Sequence, residues 1–297
     1  MSKKLNTEVK QLLQEQVAEW DLAKGNYEAL KSVQAKDFDF GEFSIRVQFN
    51  PARMTSTAAK VDPKTIQERK CFLCPANLPA VQRGIPFGKK YQILVNPFPI
   101  FPEHLTIPSL QHEDQLILNH FEDMLDLAEA IDEFTIFYNG PKCGASAPDH
   151  IHFQAGNKGF LLIEEDLKKV TKKTISETEE LKIYSLENYL RNAIIIESKS
   201  KKAVVDAFNE LYSTLEIKEG EKEPMLNIVT WYDNGTYVCC VFPRSVHRPK
   251  CFFAEGDENI LISPASVDMG GIFITPQEKD FVKITAKDIE AILKEVC

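Results

Sequence analysis

The sequence predicts an α+β chain arranged as two similar halves. Three observations carry this. Short β-branched and aromatic runs, such as FTIFY (134–138) and YVCCVF (237–242), recur along the chain. Longer stretches between them place apolar residues at helical spacing. The order of elements met in the first half is then met again in the second.

Leu5, Val9, Leu12, Leu13, Val17, Trp20 and Leu22 predict one or two amphipathic helices within 5–34. Over 38–53, Phe43, Ile45, Val47 and Phe49 alternate with Ser44, Arg46 and Gln48, so the segment reads as strand, turn, strand, ended by Asn50-Pro51. The polar stretch to Arg69 reads as a mobile loop. YQILV (91–95) is a strand broken by Asn96-Pro97, and HLTIP (104–108) is a second one. Apolar spacing over 112–132 predicts a long helix leading into FTIFY. A small-residue loop, NGPKCGASAPD (139–149), connects FTIFY to the strand HIHFQ (150–154). KGFLLIEE (158–165) reads as a further strand.

The charged stretch 166–182 has little apolar content and reads as a linker, which divides the chain into domains 1–165 and 183–297. In the second half, a strand at 192–197 and a helix at 201–215 precede LNIVTWY (226–232) and TYVCCVF (236–242). Asn234-Gly235 between these last two is a hairpin signal. Strands near 260–263 and 271–275 and a helix at 285–295 follow.

Thirty-five Lys and Arg against 44 Asp and Glu leave a net charge of −9, which argues against non-specific binding to nucleic acid or to an anionic membrane. No apolar run reaches spanning length. The polar first residues do not read as a secretory signal, and seven cysteines are an odd number for a disulfide framework. The expectation is a cytoplasmic protein with reduced or metal-bound thiols.

Strand alternation puts His150, His152 and Gln154 on one face of HIHFQ, beside a loop whose backbone N–H groups suit an anionic, phosphate-like group. Cys71 and Cys74 form a C-x2-C pair. At that spacing two thiolates can chelate one metal, form a redox pair, or sit as two buried thiols. His104 is either a third ligand or a surface histidine. Asn96, at a strand end, can meet a ribose or act as a turn residue. Lys142 can neutralise a phosphate or be a solvated loop lysine. Arg244 belongs to a basic turn, PRSVHRPK (243–250), that can hold phosphate.

GASAPDHIHFQA resembles the Gly-x-Ser-x-x-His-x-His-x-Gln signature of the histidine-triad superfamily, in its galactose-1-phosphate uridylyltransferase-like branch. Asp149 is one extra residue before the first histidine. HIHFQA looks most like the GDP-hexose phosphorylases. NPFPIFPEHLTIPS is similar to the superfamily's upstream segment, and LNIVTWYDNGTYVCCVFPRS with SVDMGG resembles the C-terminal half of these enzymes and of dinucleoside polyphosphate phosphorylases. The likeness covers roughly 70–165 well and 225–275 more loosely.

The resemblance implies two histidine-triad-like α+β modules, each an antiparallel half-barrel sheet with flanking helices. It implies a nucleotidyltransferase or phosphorylase acting on a nucleotide sugar, with phosphate or a sugar 1-phosphate as acceptor. His152 would be the nucleophile, Gln154 would bind phosphoryl oxygens, and Ser146, Gly144 and Lys142 would stabilise charge, with Asn96 and Asn139 on ribose or phosphate. The uridylyltransferases bind zinc through a set matched here by Cys71, Cys74, His104 and His150. GDP-hexose phosphorylases are not expected to carry the cysteine pair, so the sequence mixes two subgroups. Relatives in this branch are often dimers, and a homodimer is allowed. The alternatives on the same scaffold are a dinucleoside polyphosphate phosphorylase or hydrolase, and a nucleotide-binding module without chemistry.

Overall fold

The computed structural model describes residues 2–59 and 61–297. Its centre is a single ten-stranded sheet. The first half supplies β3 (Gly84–Phe87), β4 (Tyr91–Val95), β5 (His104–Pro108), β6 (Phe134–Asn139) and β7 (His152–Asn157). The second supplies β8 (Lys172–Glu177), β9 (Leu181–Leu186), β10 (Ile194–Ser198), β11 (Leu226–Asp233) and β12 (Thr236–Pro243). The spatial order is β3-β4-β5-β7-β6-β11-β12-β10-β9-β8. Every neighbouring pair is antiparallel.

Each half therefore has one topology: three strands in succession, a helix, then two strands, the last inserted between the third and the fourth. The helices are Phe121–Ala130 and Lys201–Thr214. Phe121 stacks on Phe208 where they meet, with ring centroids 3.7 Å apart. The halves join edge to edge through β6 and β11, with Asn139 opposite Asn227.

Both faces of the sheet are buried at its central strands, which is why FTIFYN is apolar without alternation. Ile136 and Tyr138 face the side covered by the N-terminal helices Ser2–Glu19 and Asp21–Leu30 and the two inter-strand helices. Phe137, Val229 and Trp231 face a second cluster. That cluster includes β1 (Gln34–Asp39), β2 (Ser44–Phe49), β13 (Ile272–Thr275) and the last helix, Ala286–Val296. The first two of these strands are antiparallel, and β13 joins β2 in parallel, so the C-terminal part closes a small sheet begun near the N-terminus.

Several elements differ from the sequence reading. Residues 54–69, expected to be a mobile loop, contain the helical turns Met54–Thr57 and Pro63–Glu68. The long helix over 112–132 is confined to Phe121–Ala130, because residues before it bond elsewhere: Gln115 braces β7, and Ile117 N–H donates to Glu223 (2.8 Å) in a loop of the second half. The strand expected at 158–165 is a turn and the short helix Ile163–Asp166, over which Glu164 accepts from Gly159 and Leu161 N–H. The stretch 166–182 is not a linker. It contains β8, an edge strand whose six side chains are all exposed, hence its missing apolar pattern. Residues near 260–263 form no ladder, and Leu261 N–H donates to Asp280 (2.8 Å) instead. The Asn-Gly hairpin forms between β11 and β12, with Asn234 at φ 48° and Gly235 at φ 83°.

Candidate active site

A cavity of about 630 Å³ opens over the C-terminal ends of β4 and β6 and the start of β7, a volume ordinary for a small-molecule site. Six of the predicted residues line it: His152, Gln154, Ser146, Gly144, Asn96 and Asn139. The strand carrying the first two starts at His152, so His150 lies in the preceding loop and not on the shared strand face.

His152 is 4% exposed. Its Nδ1 lies 2.8 Å from the carbonyl oxygen of His150, so Nδ1–H donates there and Nε2 is left unprotonated. Burial pulls the imidazole down to about 4, although the His150 carbonyl opposes this. The ring is neutral at pH 7. Gln154 is oriented from behind. His104 Nδ1 accepts from Ile100 N–H (3.1 Å), so its Nε2–H donates to Gln154 Oε1 (3.0 Å). The Gln154 amide nitrogen is thereby left as a donor. Complete burial pulls His104 down to about 3 and keeps it in this neutral form.

Asn139 Oδ1 accepts from Asn227 Nδ2 (3.0 Å) and Ser266 N–H (2.8 Å), again leaving an amide nitrogen as a donor. Asn96 lines the cavity, and its Oδ1 accepts from Phe98 N–H (2.9 Å) as a turn residue does. Gly144 has φ 99°, and a Cβ there would fall 2.4 Å from Ala265 Cβ. Only glycine allows the loop to press so closely against residues 264–265.

Two predicted residues lie elsewhere. Lys142 is absent from the cavity wall and faces Glu221 (3.8 Å) at the surface. Arg244 is 6% exposed and not free for a ligand. Its guanidinium donates to Val296 O (3.0 Å), Asn227 Oδ1 (2.5 Å) and Pro264 O (2.9 Å), with longer contacts to Val246 O and His247 O. It fastens the last helix to the sheet. The basic turn is consumed in the same way by Arg248, which donates to Thr57 O, Ala59 O and Ser263 Oγ.

Cations missed by the sequence reading take their place. Arg53 and Arg69 both line the cavity. Arg53 donates to Phe98 O (2.8 Å). Arg69 donates to Asp149 (2.5 Å), lies over the Phe72 ring (5.0 Å), and keeps a buried Nη1 with no partner among the described residues. Both arginines sit in short polar helical segments or beside them, where sequence pattern carries no signal of convergence.

Beside the start of β7, Cys71, Cys74, His112 and His150 bring four donor atoms within 4.8 Å of one another. His104 is not among them, because its two ring nitrogens are engaged with Ile100 and Gln154. His112, given no chemistry from the sequence, completes the set. The sulfur–nitrogen separations are 3.3 Å (Cys71–His150), 3.3 Å (Cys74–His112) and 3.6 Å (Cys74–His150). A tetrahedral ion with N and S ligands spaces neighbouring donors by roughly 3.3–3.8 Å, so the residues fit one. His150 Nε2–H donates to Ser109 O (2.8 Å), which turns Nδ1 toward the sulfurs, and Asp149 stands 3.8 Å behind His112 Nε2. Burial pushes the Cys71 thiol up, but the His150 ring and the Leu73 and Cys74 amides outweigh it, and the thiol falls to about 6. All seven cysteines are free of disulfides. Asp149, the extra residue in the motif, therefore ties the loop to Arg69 and stands behind His112.

Residues 12–157 match the family model described as "Domain of unknown function (DUF4922)", and residues 166–297 match "GDPGP1-like, C-terminal domain". Among solved structures, yeast Ap4A phosphorylase Apa2 superposes with a TM-score of 0.64 at 16% identity, over 97% of this chain and 96% of that one. The chain thus shares that enzyme's fold from end to end. The Ap4A complex of the yeast enzyme gives a TM-score of 0.66 at 14% identity over 97% of both chains, and the AMP complex 0.62 at 16% identity over 97% and 95%. No curated protein matches the sequence. The expected α+β class with antiparallel sheets and helices holds. The second half repeats the topology, but β12 (TYVCCVFP), which takes the place of β7 there, carries no histidine. Among the described residues no helix is long and apolar enough to cross a membrane.

Proposed function

We propose that the protein transfers a nucleotidyl group from a nucleotide sugar to phosphate or a sugar 1-phosphate, through a covalent nucleotidyl-histidine at His152. One observation carries the proposal: a neutral imidazole, on a residue lining the cavity, whose Nδ1–H is held by the His150 carbonyl so that Nε2 keeps its lone pair. Nε2 attacks the α-phosphorus in line, and the bond from phosphorus to the bridging oxygen breaks. The sugar phosphate leaves with that electron pair, and Nδ1–H stays on the ring throughout. The acceptor oxygen then attacks the same phosphorus, and Nε2 departs as neutral imidazole once more. Two displacements give retention at phosphorus and ping-pong kinetics.

The remaining work is electrostatic positioning. The amide nitrogens of Gln154 and Asn139, the Ser146 hydroxyl and the Arg53 and Arg69 guanidinium groups supply donors for the non-bridging oxygens and outer phosphates. Trp20, Leu22, Phe72 and Leu78 give the cavity an apolar end suited to a base. Cys71, Cys74, His112 and His150 would hold a structural zinc with no open position. A bound zinc would supply rigidity, and these residues already tether the His150 peptide that orients His152.

A second reading, a dinucleoside polyphosphate phosphorylase, is favoured by the end-to-end match to an enzyme solved with Ap4A. Both readings share the nucleophile and differ in the leaving group. A product-resolved panel of GDP-, UDP- and ADP-sugars and dinucleoside tetraphosphates, with and without phosphate, separates them. Sugar 1-phosphate release from one nucleotide sugar supports the first reading. Nucleoside triphosphate release from the tetraphosphate, with no nucleotide sugar turned over, supports the second. Nucleotide binding with no turnover under any acceptor rejects both.

A further inference from the structure

Register places Asn139 opposite His152, since Phe137 pairs with Gln154 at the last rung between β6 and β7. That rung is not followed by another. Across the other edge, His152 pairs with Pro108 at a non-hydrogen-bonded position, because Ser109 N–H donates to Ile151 O one rung away, so the His152 N–H and C=O both point toward β6. With the β6–β7 ladder ended, those two groups would lack ladder partners. The Gln115 side chain, fully buried, fills the gap. Its Oε1 accepts from His152 N–H (2.7 Å), and its Nε2 donates to His152 O (3.1 Å) and Asn139 O (3.0 Å).

Gln115 is itself held. Its N–H donates to Pro148 O (3.1 Å), and its carbonyl accepts from Tyr138 Oη–H (3.0 Å). Tyr138 Oη–H also lies 2.6 Å from Glu223, which accepts from Ile117 N–H as well. Glu223 comes from the second half of the chain, so a loop of that half anchors the brace.

We propose that Gln115 is a positioning residue for the nucleophile: its amide replaces the missing rung, letting β6 and β7 part around the reacting end of His152 while holding the His152 peptide fixed. This rests on the functional reading above, in which His152 attacks phosphorus. Side-chain displacements of about 1 Å can cost near 100-fold in rate.

The test uses the full chain with Gln115→Met, close in size but unable to form the three bonds, and Gln115→Ala as the second variant. Amide hydrogen exchange is followed residue by residue, alongside steady-state kinetics with the best donor from the panel. The expected result is at least 100-fold faster exchange at His152 N–H, unchanged exchange at Phe153 and Ala155, and kcat lowered 10- to 100-fold with donor KM within about twofold. Wild-type kcat despite an exposed His152 amide would overturn the proposal. So would equal acceleration of exchange along all of β7, the signature of a merely structural residue. If the wild-type protein turns over no nucleotide, the functional reading fails, and the exchange pattern alone still decides whether Gln115 is the missing rung.

Discussion

Exchanging the two candidate fourth ligands distinguishes the sequence expectation from the structure. Structural zinc in small sites is bound with about 10–16 kcal/mol, or about 2.5–4 kcal/mol for each of four ligands. At 1.4 kcal/mol per tenfold, losing one ligand should weaken binding by about 10²–10³-fold. His112→Gln removes the donor 3.3 Å from Cys74 Sγ, and this loss should appear in full. His104→Gln should leave zinc affinity within about threefold of wild type, because His104 bonds Ile100 and Gln154. It should instead slow nucleotidyl transfer by freeing the Gln154 amide to turn. Zinc content by mass spectrometry and competition with a chromophoric chelator give both affinities. The assignment is refuted if His104→Gln loses the metal while His112→Gln keeps it, or if neither protein nor variant retains zinc against a weak chelator.

Two further outcomes follow from buried groups. Burial raises the Glu223 carboxyl to about 7 from an ordinary 4.5, against the opposing bonds from Tyr138 and Ile117. A folded value above the unfolded one gives stability that is present below about pH 4.5 and lost as pH rises through 7, up to about 3 kcal/mol for this shift. Glu223→Gln should therefore show a shallower loss of stability between pH 5 and 8 in urea unfolding, and parallel curves would rule the carboxyl out as the cause. Gly144→Ala should cost about 2–5 kcal/mol, combining a left-handed backbone with a Cβ 2.4 Å from Ala265. Ala265→Gly in that background should restore the packing part only, and a full recovery would mean that the backbone is unstrained.

What could be seen in the sequence was what local periodicity records. His152 and Gln154 alternate with Ile151 and Phe153, so their common face was legible, as were the Asn-Gly hairpin and most strands. Convergence over distance left no such trace. His112 lies at the head of a run with helical spacing, yet residues 112–120 are drawn off the helix by bonds to β6, β7 and Glu223, and that departure is what lets His112 reach Cys74. Arg244 shows the opposite case. Its basic neighbours looked like a phosphate loop, but its donors are spent on backbone carbonyls and on Asn227. The strand β8 escaped notice because an edge strand with both faces in water has no apolar face to alternate.

Intact-protein mass after mixing with a nucleotide donor and no acceptor measures the nucleophile most directly. The wild-type chain should gain one nucleoside monophosphate, acid-labile and mapped to the His152 peptide, and lose it on addition of phosphate. Adduct-free enzyme that still turns the donor over, or an adduct persisting in His152→Ala, would contradict the account.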